Sequence, residues 1–174
     1  NGLPLTPPAK QMLGRFPYLQ ELQHDHLCQY LHFIRGKHER DLTIVVMEHY
    51  GMNLEDYAKR HPPKDEAQNN NFYYQIACGI NYLHRHHIVH HNLHPNHIYI
   101  TDDGNRKLSV KLFNYGLHHM TNYGKYTPFP IGNGRYMAPE RILNDNDNLF
   151  AATYQSDVWE LGFIMLQIYL GIEL

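Results

Sequence analysis

The stretch 157–170 limits the possible folds of this chain more than any other. It reads as one helix, apolar around most of its circumference through Val158, Trp159, Leu161, Phe163, Ile164, Met165, Leu166 and Ile168. A helix that is apolar all round is normally enclosed by protein. The chain is therefore expected to bury it, and 43% hydrophobic residues in 174 are enough for a sizeable core. The sequence ends at Leu174, where covering elements ought to follow, so the expectation is a domain cut short.

Ahead of that stretch, two periodicities alternate. The start, through Pro4, Pro7 and Pro8, reads as an extended loop. Met12, Phe16, Leu19 and Leu22 predict a helix over 9–23, kinked or interrupted at Pro17. Strands are expected at 31–34 and 42–47, around a polar turn at 36–41. A short helix follows at 54–60, then a polar loop at 62–71. Phe72, Ile76, Ile80 and Leu83 recur at helical spacing and predict a helix over 72–84. The runs 98–100 and 110–112 read as a hairpin around Asp103-Gly104, and 122–133 as a loop. The fold class is α+β.

Composition removes several functions. A net charge of -2 gives no basic field for nucleic acid or anionic lipid. The aromatic run Phe72-Tyr73-Tyr74 has no basic groove beside it and reads as helix packing. Cys28 and Cys78 lack metal-type spacing and read as a reduced intracellular pair. No apolar run approaches the roughly 20 residues that cross a bilayer.

Several strings share an order and spacing. They are Tyr82-Leu83-His84, Ile88-Val89-His90, Leu93 with Pro95, Asn114-Tyr115-Gly116, Ala138-Pro139-Glu140, and Ser156-Asp157-Val158-Trp159 ahead of Leu161-Gly162. Together they resemble the eukaryotic protein kinases, from the helix before the hinge to the central helix, over nearly the whole chain. Further strings, such as Arg35-Gly36-Lys37-His38-Glu39-Arg40 and Phe129-Pro130-Ile131-Gly132, resemble the kinase-like proteins that also carry a TBC domain, the Rab GTPase-activating type. No TBC domain lies in these residues. The resemblance implies a bilobal fold truncated at both ends: a partial N-lobe with the hinge at 1–50, and a partial C-lobe through the central helix at 51–174.

Phosphoryl transfer needs a group that orients the attacking hydroxyl and metal ions held by hard anionic oxygens. The family supplies them as His-Arg-Asp-Leu-x-x-x-Asn and Asp-Phe-Gly. Here the first string is His90-His91-Asn92-Leu93-His94-Pro95-Asn96-His97. The resemblance puts Asn92 at the catalytic Asp, and an amide takes no proton at neutral pH. Losing a general base costs about 10²–10⁴ in rate. His97 stands at the metal-binding Asn, although Mg²⁺ prefers oxygen. His94 stands at the catalytic-loop Lys, and Asn114 at the Asp that is the principal metal ligand. Alignment on His24-Asp25-His26-Leu27 puts Arg15 near the Glu that pairs with the ATP lysine. No Gly-rich loop and no Val-Ala-Ile-Lys strand are present.

Positions with structural roles in the family are kept. Leu19, His90 and Tyr115 are expected to stack as a spine. Gly116 permits an unusual backbone. Asp157 is expected to anchor the loop from the central helix, and Glu140 to pair with an Arg in a later helix. Around the nucleotide pocket, Met47 is the gatekeeper, Glu48 and Tyr50 lie in the hinge, and the bulky Tyr99 lies under the adenine position. The pocket is expected to bind nucleotide weakly without metal, or to be filled by its own side chains. Fifteen histidines, seven of them at 84–97, invite a zinc reading. Structural zinc usually wants fixed spacing and often cysteine, so no metal site is expected. Tyr123, Tyr126 and Thr127 fall where other enzymes could phosphorylate a loop.

These readings converge on a catalytically inactive kinase-like module, a pseudokinase, that regulates or scaffolds in Rab-related membrane traffic or growth signalling. A weakly active ATP-dependent kinase with atypical residues is the alternative, and a histidine-rich metal-binding regulatory module the third. No cofactor is expected, since the replaced positions argue against both ATP and Mg²⁺. Partners are expected to be proteins, a Rab-type GTPase only through a TBC domain elsewhere. The expected setting is cytoplasmic, including membrane- or cytoskeleton-associated pools.

Overall fold

The computed structural model describes residues 7–34, 44–61, 66–102, 104, 107–120, 134–142 and 153–170. The expected turn at 36–41, strand residues Leu42 and Thr43, and the loop with Tyr123, Tyr126 and Thr127 lie outside them. In chain order the elements are α1 (Pro7–Glu21), β1 (Tyr30–Ile34), β2 (Ile44–Met47), β3 (Met52–Asn53), α2 (Leu54–Arg60) and α3 (Glu66–Arg85). A single 3-10 turn (Pro95–His97) leads to β4 (Ile98–Asp102), β5 (Leu108–Leu112), α4 (Leu117–Met120), α5 (Pro139–Ile142) and α6 (Tyr154–Leu170). The architecture is α+β, with one two-stranded and one three-stranded antiparallel sheet.

The apolar spacing seen in α3 is the face that it buries. Phe72, Ile76, Ile80 and Leu83 are each no more than 4% exposed. The helix begins at Glu66, inside the stretch expected to be loop. Polar residues do not forbid a helix whose outer face is wet, and Glu66 in the first turn suits the positive helix end. Gly79 lets α3 lie close on β5: a Cβ there would stand 2.8 Å from Leu112 Cδ1 and 3.2 Å from the His26 carbonyl. Gln75, on the same face, accepts from the Val110 amide at 2.7 Å and donates to the Leu108 carbonyl at 3.2 Å. It thus satisfies strand groups that burial would otherwise strand.

Helix α1 runs through Pro17 without a break, against the expected interruption. Pro17 is on the exposed side, where the carbonyl freed one turn earlier can turn to water. The inner side carries Phe16, Leu19 and Leu22, all buried. Strand β1 pairs with β2, with an irregularity between Tyr30 and His32. The expected hairpin forms and is longer than its apolar runs, pairing Ile98 with Leu112 through to Asp102 with Leu108. The short β3 adds to its other edge. Asn53 then caps α2, accepting from the Asp56 amide at 2.8 Å.

Among the described residues helix α6 is enclosed on one side, and its apolar outer side is uncovered. The buried face is largely polar: Ser156, Asp157, Glu160 and Gln167 beside Ile164 and Ile168. Val158 (60% exposed), Trp159, Leu166, Tyr169 and Leu170 face outward. Apolar residues all round do not decide which side a helix buries. Here the inward side is chosen by what its carboxylates hold.

Candidate functional site

The loop 90–97 has little regular structure of its own, so its main-chain groups need partners. Helix α6 supplies them from beneath. Asp157 Oδ2 and Oδ1 accept from the amides of His90 and His91, each at 2.8 Å. Glu160, one turn further on, accepts from the Leu93 amide at 2.9 Å. His84 Nε2 donates to Asp157 at 2.8 Å. Both carboxylates are at most 1% exposed. His91 takes a left-handed conformation, φ 62°, in this arrangement.

Buried charge needs a countercharge, and Arg141 of α5 provides it. Its Nη1 donates to Glu160 at 2.8 Å, and its Nη2 to His91 Nε2 at 2.9 Å. Because a guanidinium has no acceptor, His91 carries its proton on Nδ1. Burial opposes both charges. It lowers the Arg141 pKa, and it pushes Glu160 up to about 8, with the nearby Asp157 adding to the rise. Glu140 is exposed, and its expected Arg partner lies in a later helix outside these residues. Its neighbour Arg141 was missed. The available signal was the pair of acids three residues apart in a helix otherwise so apolar.

Asn92, His94 and His97, three of the positions expected to be degenerate, lie on this loop, and Asn114, the fourth, follows Phe113 beside it. His97 Nδ1 donates to the Asn92 carbonyl at 2.8 Å, and burial lowers the His97 pKa. His94 caps the 3-10 turn by accepting from the Asn96 amide at 3.0 Å on Nδ1, and its ring lies edge-on to Tyr136 at 4.5 Å. The Phe113 amide donates to the His97 carbonyl at 2.8 Å, placing Asn114 (φ 60°) beside the loop. A further carboxylate reaches the rim: Glu55 of α2, held below the usual range first by Lys59, also bonds Asn96. The carboxylates that touch this loop are thus aimed at amides, at Arg141 or at Lys59, and positions 92, 97 and 114 carry amide or imidazole.

Above the loop, rings connect α1 to it. Phe16 packs on Tyr30 (5.7 Å between centroids), Tyr30 on Tyr115 (5.0 Å) and Tyr115 on His90 (6.5 Å). Tyr115 donates to the Cys28 carbonyl at 2.7 Å, and Tyr30 donates to the Tyr115 carbonyl. Leu19 is fully buried here and covers Gly116, whose φ is 71°. His90 is also fully buried, and neither ring nitrogen has a hydrogen-bond partner among the described residues. Burial drives its pKa down to about 4, so the ring is neutral at pH 7.

Met47 ends β2 opposite Tyr30. The Glu48 carboxylate turns back to accept from the Gln29 amide at 2.9 Å and the Tyr50 hydroxyl at 3.1 Å. Burial, helped by Glu48, pushes Tyr50 up to about 12. The Tyr99 ring meets His49 at 5.1 Å and Phe113 at 5.4 Å, both nearly perpendicular. Edge-to-face contacts of this kind add about 0.5–1.5 kcal/mol each. Among the described residues no group of three or more His, Cys, Asp and Glu side chains is placed to hold a metal ion. No helix among them is long and apolar enough to cross a membrane.

Comparison with known proteins agrees with this layout. Residues 7–174 match the protein kinase domain family. The chain is 38% identical over its whole length to the mouse TBC domain-containing protein kinase-like protein, of which it covers 20%. It is 34% identical to the Dictyostelium discoideum protein of the same name, over 92% of this chain and 15% of that one. It is 32% identical to the carbon catabolite-derepressing protein kinase of Saccharomyces cerevisiae, over 85% of this chain and 22% of that one. The chain thus spans about a fifth of the length of these relatives.

Proposed function

Because the chain belongs to the protein kinase family, we propose that it is a pseudokinase: a module that keeps the family's loop geometry, transfers no phosphate, and regulates through protein contacts. One observation carries this reading. His97 is tied to the Asn92 carbonyl and offers no side-chain oxygen to a metal, and no acid stands at 92 or 114, where the attacking hydroxyl and Mg²⁺ would need one. The packing of Tyr99 against His49 and Phe113 supports an adenine position filled in part by the protein's own rings. The test is thermal stability of the complete kinase-like domain with millimolar ATP, with and without Mg²⁺. A ligand that binds only the native state raises the melting temperature. We expect no Mg²⁺-dependent rise; a rise only with Mg²⁺ overturns the reading.

A second reading rests on relatives that are named kinases, among them the yeast enzyme at 32% identity. It requires phosphate transfer that disappears on Asn92→Ala or Asn114→Ala. The more similar relatives are named for a TBC domain; beside such a domain, our reading of the role is regulation of Rab-directed traffic or growth signalling, in the cytoplasm. GTPase stimulation by the longer protein, with and without this module, tests that role.

A further inference from the structure

We propose that Arg15 is a latch that couples α1 to the segment leaving the Asn114-Tyr115-Gly116 turn, so that the two move as one unit. Helix α4 is a single turn, too short to hold itself together in water. Its last carbonyls need donors from elsewhere. Arg15 Nη1 donates to the His119 carbonyl at 2.6 Å, across 104 residues of sequence, and a cation suits the negative end of a helical turn. Leu19, one turn along from Arg15, grips the other end of the same segment. A Cβ on Gly116 would lie 2.6 Å from Leu19 Cδ2.

Tyr18 completes the grip. Its ring lies 5.6 Å from that of His119, and its hydroxyl donates to the His86 carbonyl at the end of α3, at 2.6 Å. Burial, with Arg15 adding to it, lowers the His119 pKa, so no second cation competes beside the capped carbonyl at neutral pH. Arg15 thus has a task that the acid expected at its position could not perform, since a carboxylate cannot donate to a carbonyl. Shifting α1 outward removes the cap from α4 and the cover from Gly116 together.

The test is hydrogen exchange, read by mass spectrometry, on the full-length protein and its Arg15→Ala and Arg15→Gln variants. Losing a charged helix-end cap is expected to raise exchange roughly threefold to tenfold. In Arg15→Ala the rise should appear in 117–120 and in 14–21 together, with α3 and α6 unchanged. Arg15→Gln keeps a donor without the charge and should show the same pattern, smaller; it serves if the alanine variant folds poorly. Unchanged exchange at 117–120 overturns the latch. A rise confined to 117–120 leaves only a local cap and overturns the coupling. A uniform rise through α3 and α6 marks a general packing role and overturns it as well.

Discussion

Replacing Arg141 by Met removes the guanidinium that bonds Glu160 at 2.8 Å and His91 at 2.9 Å. The Glu160 carboxylate is then left buried, with the Leu93 amide as donor and Asp157 one turn away. Above about pH 8, where Glu160 is ionised, breaking one side of this buried ion pair costs about 3–5 kcal/mol, because the other charge stays desolvated. Glu160→Gln keeps an oxygen for the Leu93 amide and removes that charge. The double variant should therefore lie within about 1–2 kcal/mol of the parent, well short of the sum of the two single costs. The sign with pH follows from the raised acid. Glu160 binds its proton more tightly folded than unfolded, so its contribution to stability falls as pH rises from about 4.5 to about 8. Without Arg141 this fall extends to higher pH, and the single variant is least destabilised in acid. Urea denaturation of the complete kinase-like domain at several pH values measures all of this. A single-variant cost under about 1 kcal/mol, or strictly additive costs, would refute the account of Arg141 as countercharge.

His90 gives a pH prediction of the opposite sign. Its pKa is depressed to about 4 by burial, so its contribution is lost as pH falls from 6.5 towards 4. In the parent this opposes the slope from Glu160. In His90→Leu, urea midpoints should decline with pH more steeply than in the parent between about 4.5 and 6.5, and in parallel above that; matching profiles throughout would count against a neutral His90. Gly116→Ala should cost about 2–4 kcal/mol, from a left-handed backbone and from overlap with Leu19. That is a fall in melting temperature of roughly 4–12 °C, and a fall under about 2 °C would mean that Leu19 yields freely.

How far the sequence could be read depended on where each signal lay. Helix α3 and the β4–β5 hairpin were legible because their apolar spacing coincides with the face that they bury. The N-terminal part of α3 was not, since Glu66 to Asn71 place no apolar side chain inward and resemble loop composition. A strand of two residues, β3, is too short for any periodicity to show. Helix α6 was legible as a helix, but its inner face was not. Hydropathy marked Val158, Trp159 and Leu166 as core, yet among the described residues its inner face was set by hydrogen bonds that Asp157 and Glu160 make to a loop some 65 positions away, roughly the length of a small domain. Composition does not record such partners. For the same reason the replaced positions Asn92, His94, His97 and Asn114 could be named from their order alone, while their hydrogen bonds needed coordinates.

The support beneath the loop bears on how such a chain can change over generations. Asp157 and Glu160 grip the amides of His90, His91 and Leu93, and every residue except proline offers the same amide. These three anchors are therefore indifferent to which side chains the loop displays. A lineage could exchange acids and a lysine for asparagine and histidine on the upper side, one at a time, with each intermediate still folding. Such exchanges would leave these anchors in place, whereas a single change at Asp157 would remove two of them at once.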